Sequence, residues 1–463
     1  MNDIDKEKNV ISLDKDKRVS FPQRIYIALT KSGNDMFGIL FAGALFGFYV
    51  DILHMNPKSY GIVMIIFAIW NAINDPIFGY MSDKKRMDKR GRRAFFIRLS
   101  IPFFFVGFLM FWLASPGWSH SWLFIFLLIS LFIYDTGYTI AGLNISAIQV
   151  DQTTSTNERT RIVLISLLLS MVPVGLASVT PNFVLTSRTL SNIDMSLIFI
   201  SLGIVATILM IIGAIKLKEN PLEDEAAEPL PIITAIKETL KSKAFIFFVI
   251  FSFMMNAVTA NLLAVIPLYF KYVFELNQIE ILIISVVTGV LYIPLLFAYE
   301  KLQNRIGIRK TFLIAIIIMI SGFIGLFFVQ SIVLMTLCYG LCLWMTVLWG
   351  LLVNPMVGDI SDEDELKTNC RREGMFFGTN ALITKGAPSL AIFIFTAIIE
   401  FYGYNSHLDF QSSQAIFGIR LGIGILPLVF LVLGFIALIF YPLHGNKLKK
   451  IKMSLDNLHE KKL

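Results

Sequence analysis

Charged residues are scarce in this sequence: Asp, Glu, Lys and Arg make up only 16% of its 463 residues, whereas 56% are hydrophobic. Soluble domains usually carry about a quarter charged residues, so this composition excludes a soluble enzyme and a disordered chain. Three cysteines cannot make a disulfide framework. A membrane-crossing helix needs roughly 20 apolar residues, and a chain of this length can hold a dozen such helices.

Catalytic and cofactor motifs are also missing from the sequence. It has no phosphate-binding loop, no Cys/His metal cluster and no nucleophile beside a base, and its five histidines fall in loops, at span ends or in the C-terminal tail. We therefore expect neither an enzyme nor an ATP-driven pump, and no cofactor. The net charge of +7 indicates basic cytoplasmic loops rather than a nucleic-acid partner.

Twelve apolar runs follow one another along the chain, and the longest polar stretch divides them into six and six. They lie near 26–50, 59–82, 94–114, 121–149, 161–187, 195–217, 244–270, 278–299, 311–330, 331–357, 375–399 and 415–441. This pattern predicts an all-α membrane protein with twelve transmembrane helices in two six-helix bundles. Its predicted parts are an N-terminal tail (1–25), a first bundle (26–217), a central loop (218–243), a second bundle (244–442) and a basic tail (443–463).

Basic residues predict the orientation of these spans. Of the 40 Lys and Arg residues, 33 lie in segments that are cytoplasmic if the N-terminus is inside, and 3 lie in the outer loops. By the positive-inside rule, both termini are then cytoplasmic. Two sets of six spans around a central cytoplasmic loop are typical of a major facilitator transporter, in which two bundles rock about a central site.

Ionisable residues inside the spans are candidates for a coupling-ion site, because each costs at least about 2.5 kcal/mol in hydrocarbon. In the second span, Asn71 and Asp75 are one turn apart and can share a small cation. The alternative is a structural Asp75 that bonds to backbone freed by Pro76. In the fourth span, Asp135 and Thr139 are one turn apart, so Asp135 is either a second carboxylate of this site or lies one layer nearer the outside.

Two further polar sets indicate a substrate site. Lys31 and Asp35 share one helical face; either they form an ion pair at the membrane edge, or Asp35 faces the cavity and binds a polar substrate. In the eleventh span, Asn380 accompanies Lys385, which lies ten residues into an apolar helix. Lys385 needs an anion, a polar substrate or water, unless its side chain snorkels to the surface.

Three stretches, 74–93, 134–161 and 358–386, contain the motifs Asn-Asp-Pro-Ile-Phe-Gly-Tyr, Tyr-Asp-Thr-Gly-Tyr-Thr and Arg-Arg-Glu-Gly-Met-Phe. They lie in both halves of the chain and together resemble the glycoside–pentoside–hexuronide:cation symporter family, the melibiose-permease branch of the major facilitator superfamily. The resemblance implies the major facilitator fold and cation-coupled transport. It places the coupling ion, H⁺ or Na⁺, at Asp75 with Thr139, and the spacing adds Asn71 and Asp135. The expected substrate-site residues are Asp35, Tyr138, Trp349, Asn380 and Lys385.

Departures from the family pattern leave the coupling and the substrate open. Asn71 and Gly142 stand where the family has carboxylates of its cation site, and Ser146 and Leu167 replace a tryptophan and an arginine of its sugar site. Proton coupling, weaker Na⁺ binding and help from Asp135 are the alternatives for the ion. A galactoside is not specifically supported as the substrate.

Two cytoplasmic segments have predicted roles of their own. Gly79 permits close helix approach, while Asp83, Arg92 and Arg93 can pair with helix ends and so latch the outward-facing state. A merely positive-inside loop explains the charges but not Gly79 with Asp83. The tail from Gly445, with six lysines, either lies on anionic lipid as an amphipathic helix or is solvated.

We therefore expect a monomeric, multi-pass plasma-membrane symporter that moves a small polar solute, a sugar or glycoside, together with H⁺ or Na⁺. The substrate is expected to bridge Asp35 in the first half and Lys385 in the second. Three alternatives remain: the same fold carrying a lysolipid or other amphiphile, a facilitator without coupling, and a membrane enzyme, which lacks a visible nucleophile or metal set.

Overall fold

The computed structural model describes residues 19–84, 91–152, 156–219, 232–368 and 373–462, and these residues are helical apart from short connections. The helices are α1 (Phe21–Phe46), α2 (Pro57–Lys84), α3 (Arg93–Leu113), α4 (His120–Asp151), α5 (Thr156–Leu185), α6 (Asn192–Lys216), α7 (Ile232–Thr239), α8 (Lys243–Leu268), α9 (Gln278–Ile306), α10 (Ile308–Phe328), α11 (Ile332–Thr368), α12 (Glu373–Thr384), α13 (Gly386–Phe401), α14 (Ser413–Arg420), α15 (Leu426–Ile439) and α16 (Gly445–Lys462). Three π-helical turns, Gly47–Ile52, Tyr269–Val273 and Leu421–Ile425, extend α1, α8 and α14.

Every predicted span falls on one or more of these helices. In the described part of the chain, nine helical segments are long and apolar enough to cross a membrane, so the all-helical membrane architecture is confirmed and the number twelve stays a prediction. The tenth predicted span continues well past residue 357, because α11 runs to Thr368. The eleventh is interrupted at Lys385, between α12 and α13.

The described chain separates into two compact units. The first contains α1 through Leu45, the segment Ile73–Val184, and the chain from Arg188 through α6. The second contains Phe46–Ala72, Leu185–Ser187 and helices α7 to α16. Both α1 and α2 are thus divided between the units, and the segment that joins them belongs to the second.

Within the first unit, glycines bring α3 and α4 into close contact. A Cβ atom at Gly107 would lie 2.4 Å from the backbone nitrogen of Tyr134, and one at Gly137 would lie 2.6 Å from that of Phe104. Real Cβ atoms cannot approach so closely, so any side chain at either position forces the helices apart. Aromatic rings fill the adjoining core, where Phe37 stacks on Phe104 with centroids 4.8 Å apart.

In each unit, an arginine side chain donates hydrogen bonds to backbone carbonyls at the C-terminal end of a neighbouring helix. In the first unit, Arg98 of α3 donates from Nε to the carbonyl of Ala214 in α6 (2.8 Å). In the second unit, Arg309 of α10 donates from Nε to the carbonyl of Leu438 in α15 (3.0 Å). The last carbonyls of a helix lack intrahelical donors and carry partial negative charge. A guanidinium supplies these carbonyls with both a hydrogen-bond donor and a positive charge.

The C-terminal helix α16 packs on α11. Lys447 Nζ lies 2.9 Å from Glu363 Oε1, and Lys452 Nζ lies 3.1 Å from Asp359 Oδ1. Ile451 and Leu455 on the same helix are buried. The described part of the tail is therefore a helix that contacts α11 through one face, and its place on anionic lipid stays a prediction.

Candidate functional site

A buried polar cluster in the first unit joins α2 to α4. Asn74, Asp135 and Thr139 are 0%, 3% and 2% exposed. The Asn74 amide donates from Nδ2 to Asp135 Oδ2, and the Thr139 hydroxyl donates to Asn74 Oδ1 at 3.5 Å. Asp135 and Thr139 lie one turn apart on α4, as predicted, so both side chains point at the same residue of α2.

The oxygens of this cluster are suited to holding a small cation. A carboxylate, an amide carbonyl and a hydroxyl are the hard ligands that Group I and II cations take in proteins, and an ionisable residue in a membrane-spanning helix is a functional candidate by default. The structure thus brings two predicted cation-site residues, Asp135 and Thr139, together. It adds Asn74, which the sequence analysis did not assign to the site.

The remaining predicted cation-site residues lie on α2. The side chain of Asp75 falls outside the described part of the structure, so its assignment to the ion stays a prediction. Asn71 is buried, and among the described residues its Oδ1 has no hydrogen-bond partner. Such an orphan oxygen is costly in an apolar environment, so Asn71 stays a candidate ligand of the predicted cation site.

The predicted substrate residues of the first unit lie on α1 and α4. Lys31 Nζ and Asp35 Oδ2 are 2.5 Å apart, and each side chain is 29% exposed, so the local ion pair does form. Tyr138 is half-buried and stacks on Tyr134, with centroids 6.0 Å apart. A Cβ at Gly38 would lie 3.3 Å from the Tyr138 ring, so this ring also packs directly on α1.

The predicted substrate residues of the second unit divide between a helix break and an aromatic core. Lys385 is half-buried at the junction of α12 and α13. Asn380, five residues earlier, has a buried Oδ1 without a hydrogen-bond partner among the described residues. Trp349 is 9% exposed and packs edge-on against Phe251, with centroids 5.3 Å apart.

Arg92 and Arg93 of the predicted cytoplasmic latch lie among the described residues. Arg93 donates from Nη1 to the Ser82 hydroxyl at 3.1 Å, which ties the start of α3 to α2. The carboxylate of Glu219 accepts hydrogen bonds from the backbone N–H groups of Arg92 (3.1 Å) and Ala94 (2.6 Å), so it caps α3. The surroundings of Gly79 and Asp83 fall outside the described residues, and the latch stays a prediction.

The second unit buries another carboxylate, Asp51, which sequence reasoning missed. Its Oδ2 accepts from Lys271 Nζ at 2.5 Å, and its Oδ1 accepts from the hydroxyls of Tyr404, at 2.5 Å, and Tyr272. These partners are more than 200 residues distant in the chain. The sequence marks Asp51 only as an acid at the end of an apolar run, which is also how a solvated loop residue looks.

Comparisons with known proteins agree with this architecture. The family model described as "MFS/sugar transport protein" matches residues 26–445. The glucuronide carrier protein homolog of Escherichia coli is 23% identical, covering 90% of this chain and 91% of its own. The sphingosine-1-phosphate transporter MFSD2B of Xenopus tropicalis is 20% identical, covering 96% of this chain and 92% of its own. The sodium-dependent lysophosphatidylcholine symporter 1 of Xenopus tropicalis is 21% identical, covering 89% of this chain and 85% of its own.

A solved structure gives the same fold. The crystal structure of a D-xylose-proton symporter superposes with a TM-score of 0.66, covers 93% of this chain and 99% of its own, and is 16% identical in sequence. At this identity the likeness concerns the fold alone, which is that of the major facilitator transporters.

Proposed function

This chain belongs to the MFS/sugar transport protein family, and from that premise we propose that it is a cation-coupled symporter of a small polar solute, a sugar or glycoside, working by alternating access. It is a multi-pass membrane transporter, and the proteins similar to it are transporters rather than enzymes. We further propose that it lies in the plasma membrane with both termini cytoplasmic, in line with the distribution of its basic residues.

The observation that carries the proposal is the buried cluster of Asn74, Asp135 and Thr139. A carboxylate that is 3% exposed in a membrane-spanning helix is expensive to keep charged, and a proton or Na⁺ offsets that cost. Cation binding there changes the charge of the first unit. A change of buried charge shifts the balance between conformations only to the extent that one of them binds the cation better.

Cation and solute then control the conformational change together. Cation binding compensates the buried carboxylate, and enclosing the solute without the cation leaves that charge uncompensated. We therefore expect only the empty and the doubly loaded forms to exchange their open side freely. Asp75, Asp35 and Lys385 enter this scheme from the resemblance, as a second cation ligand and as substrate contacts.

An amphiphile is the second candidate for the transported solute, and one cavity in the second unit favours it. The cavity of about 480 Å³ lies between α2 and α13 and is lined mostly by apolar side chains, including Ile62, Phe393 and Phe401. Lys58 and Glu400 also line it. Opposite charges beside an apolar groove fit a zwitterionic headgroup with its acyl chain.

A thermal-shift screen of the purified protein tests the proposal. Sugars, glycosides and lysophospholipids are added singly, with and without Na⁺ and at two pH values. A ligand that binds only the folded protein raises the melting temperature by mass action, and we expect the largest rise from a sugar or glycoside in the presence of the coupling cation. A rise from lysophospholipid alone, lost in Lys58→Gln and indifferent to cation, supports the second candidate instead. Ligand shifts that never depend on Na⁺ or pH contradict coupling.

A further inference from the structure

We propose that Asp51, Lys271, Tyr272 and Tyr404 form an outer lock, which holds this transporter closed on its extracellular side and opens in every transport cycle. The inference rests on the proposed function for the orientation and for alternating access. In that orientation the residues lie at the outer ends of α1 and α8 and in the outer loop after α13.

The geometry of the outer lock is that of a saturated buried carboxylate. The Asp51 side chain is 1% exposed and that of Lys271 is 13% exposed, while Tyr272 and Tyr404 are both buried. One ammonium and two phenolic hydroxyls donate to the two oxygens of Asp51. Charge-assisted hydrogen bonds of this kind are about twice as strong as neutral ones. Because all three donors share the carboxylate, removing its charge weakens all three bonds at once.

The lock joins three segments that are separate in sequence. Asp51 lies in the π-helical turn Gly47–Ile52, Lys271 and Tyr272 lie in the turn Tyr269–Val273, and Tyr404 lies after α13. One turn below Asp51, Phe46 packs edge-on against Phe395, with centroids 5.3 Å apart. A polar lid above an aromatic layer thus seals the same end of the second unit.

The hydrogen bonds of the outer lock differ from those that hold neighbouring helices together throughout the cycle. Among the described residues, the Asp51 carboxylate accepts from side chains only, so side-chain rotation is enough to break these bonds. In contrast, the neighbouring Tyr269 donates its hydroxyl to the backbone carbonyl of Leu326. Opening toward the extracellular side also admits water, which solvates the Asp51 and Lys271 charges and compensates the broken bonds.

Thiol labelling from outside tests the lock without knowledge of the substrate. Ala264, two turns before Lys271 on α8, is 1% exposed, and Ala264→Cys is introduced after the three native cysteines are replaced by alanine. Intact cells are treated with a membrane-impermeant maleimide, and the labelling rate is compared with and without Asp51→Asn. We expect Asp51→Asn to speed labelling of Cys at position 264 by about tenfold or more, because a tenfold change requires only 1.4 kcal/mol of shifted equilibrium.

A matched control removes a similar bond that lies outside the lock. Tyr269→Phe deletes a buried tyrosine hydroxyl three residues from Tyr272, and we expect the labelling rate to stay at its parental value. Equal acceleration by Tyr269→Phe and Asp51→Asn, or no acceleration by Asp51→Asn, overturns the lock.

A second control separates the lock from the orientation on which it rests. Gly117→Cys lies in the loop between α3 and α4, where a Cβ meets no atom within 4 Å, and this loop is extracellular in the proposed orientation. Rapid labelling of Gly117→Cys that is equal in both backgrounds shows that the reagent reaches the outer face. Absence of labelling there refutes the orientation, and with it the extracellular placement of the lock.

Discussion

The two compact units each bury a carboxylate, but the donors around the two carboxylates differ in kind. In the second unit, Asp51 accepts from a lysine ammonium and two phenols. In the first unit, Asp135 accepts from the amide of Asn74, which in turn accepts from a threonine hydroxyl. Asn74 and Thr139 have lone pairs that a cation can use, whereas an ammonium has none.

This difference indicates what each cluster is able to bind. A cation that enters beside Asp51 must displace Lys271, which already neutralises the carboxylate. Beside Asp135, a rotation of the Asn74 amide presents its oxygen to a cation. This contrast supports our proposal that the cluster of the first unit takes the ion, whereas that of the second unit holds segments together.

Breaking the Asp51 ion pair has the largest expected effect on stability. Asp51→Asn leaves the Lys271 ammonium in a largely buried place without its counter-charge, and removing one partner of such a pair costs about 3–5 kcal/mol. We expect a clear fall in the thermal unfolding midpoint of the purified protein, without any added ligand.

The double variant Asp51→Asn, Lys271→Met tests whether charge is the cause. It removes both charges, and replacing a whole buried pair with neutral groups is often nearly neutral in free energy. We expect it to recover most of the stability lost in Asp51→Asn. A double variant as unstable as the single one contradicts the ion-pair explanation.

Neutralising the first unit's cluster has the next largest effect, and it concerns ligand dependence. A cation at 100 times its dissociation constant contributes about 2.7 kcal/mol to the folded state. We expect Asp135→Asn to abolish the rise in unfolding midpoint that Na⁺ or acid produces. In a transport assay, we expect Asp75→Asn to abolish cation-driven accumulation of solute and to leave solute exchange across the membrane.

The Asp51→Asn variant is the control for this prediction. It starts from a lower midpoint, yet its rise on addition of the cation should equal that of the parent protein. Full retention of the cation effect in Asp135→Asn refutes the cation role of this cluster, and loss of that effect in Asp51→Asn refutes the distinction between the units.

The features of this protein that were predictable from sequence are local ones. Apolar runs specify helices because hydrocarbon requires every backbone group to be bonded within the segment, so each predicted span falls on a helix. Asp135 and Thr139 were found because helical periodicity places residues one turn apart on the same face. Helix existence and local faces are properties of a single segment.

Long-range partners are not properties of a single segment. Nothing local to Asp51 indicates Lys271 or Tyr404, which are 220 and 353 residues away, because their pairing follows from the packing of whole helices. Asn74 was overlooked for a related reason: Asp75 beside it carries the charge, and only the rotation of α2 determines which side chain meets α4.

The smallest expected effect concerns pH at the edge of the outer lock. The rings of His54 and His407 lie 4.2 Å apart. Burial lowers the pKa of His54. The neighbouring charges of His407 and Lys271 lower this pKa further, whereas Asp51 and the backbone of Ser406 raise it in part.

The closed lock therefore binds fewer protons than an open, solvated lock. The stability of the closed lock is complete above about pH 6.5, the ordinary histidine pKa, and declines as the pH falls below it. Because maleimide reacts with the thiolate, labelling of Cys at position 264 is expressed relative to that of Gly117→Cys at the same pH. We expect this ratio to rise about threefold between neutral pH and pH 5, a modest change because water screens a half-buried charge. His54→Asn, which tolerates the positive φ of 59° at this position, should flatten that dependence, whereas an undiminished pH dependence in His54→Asn excludes His54 as its source.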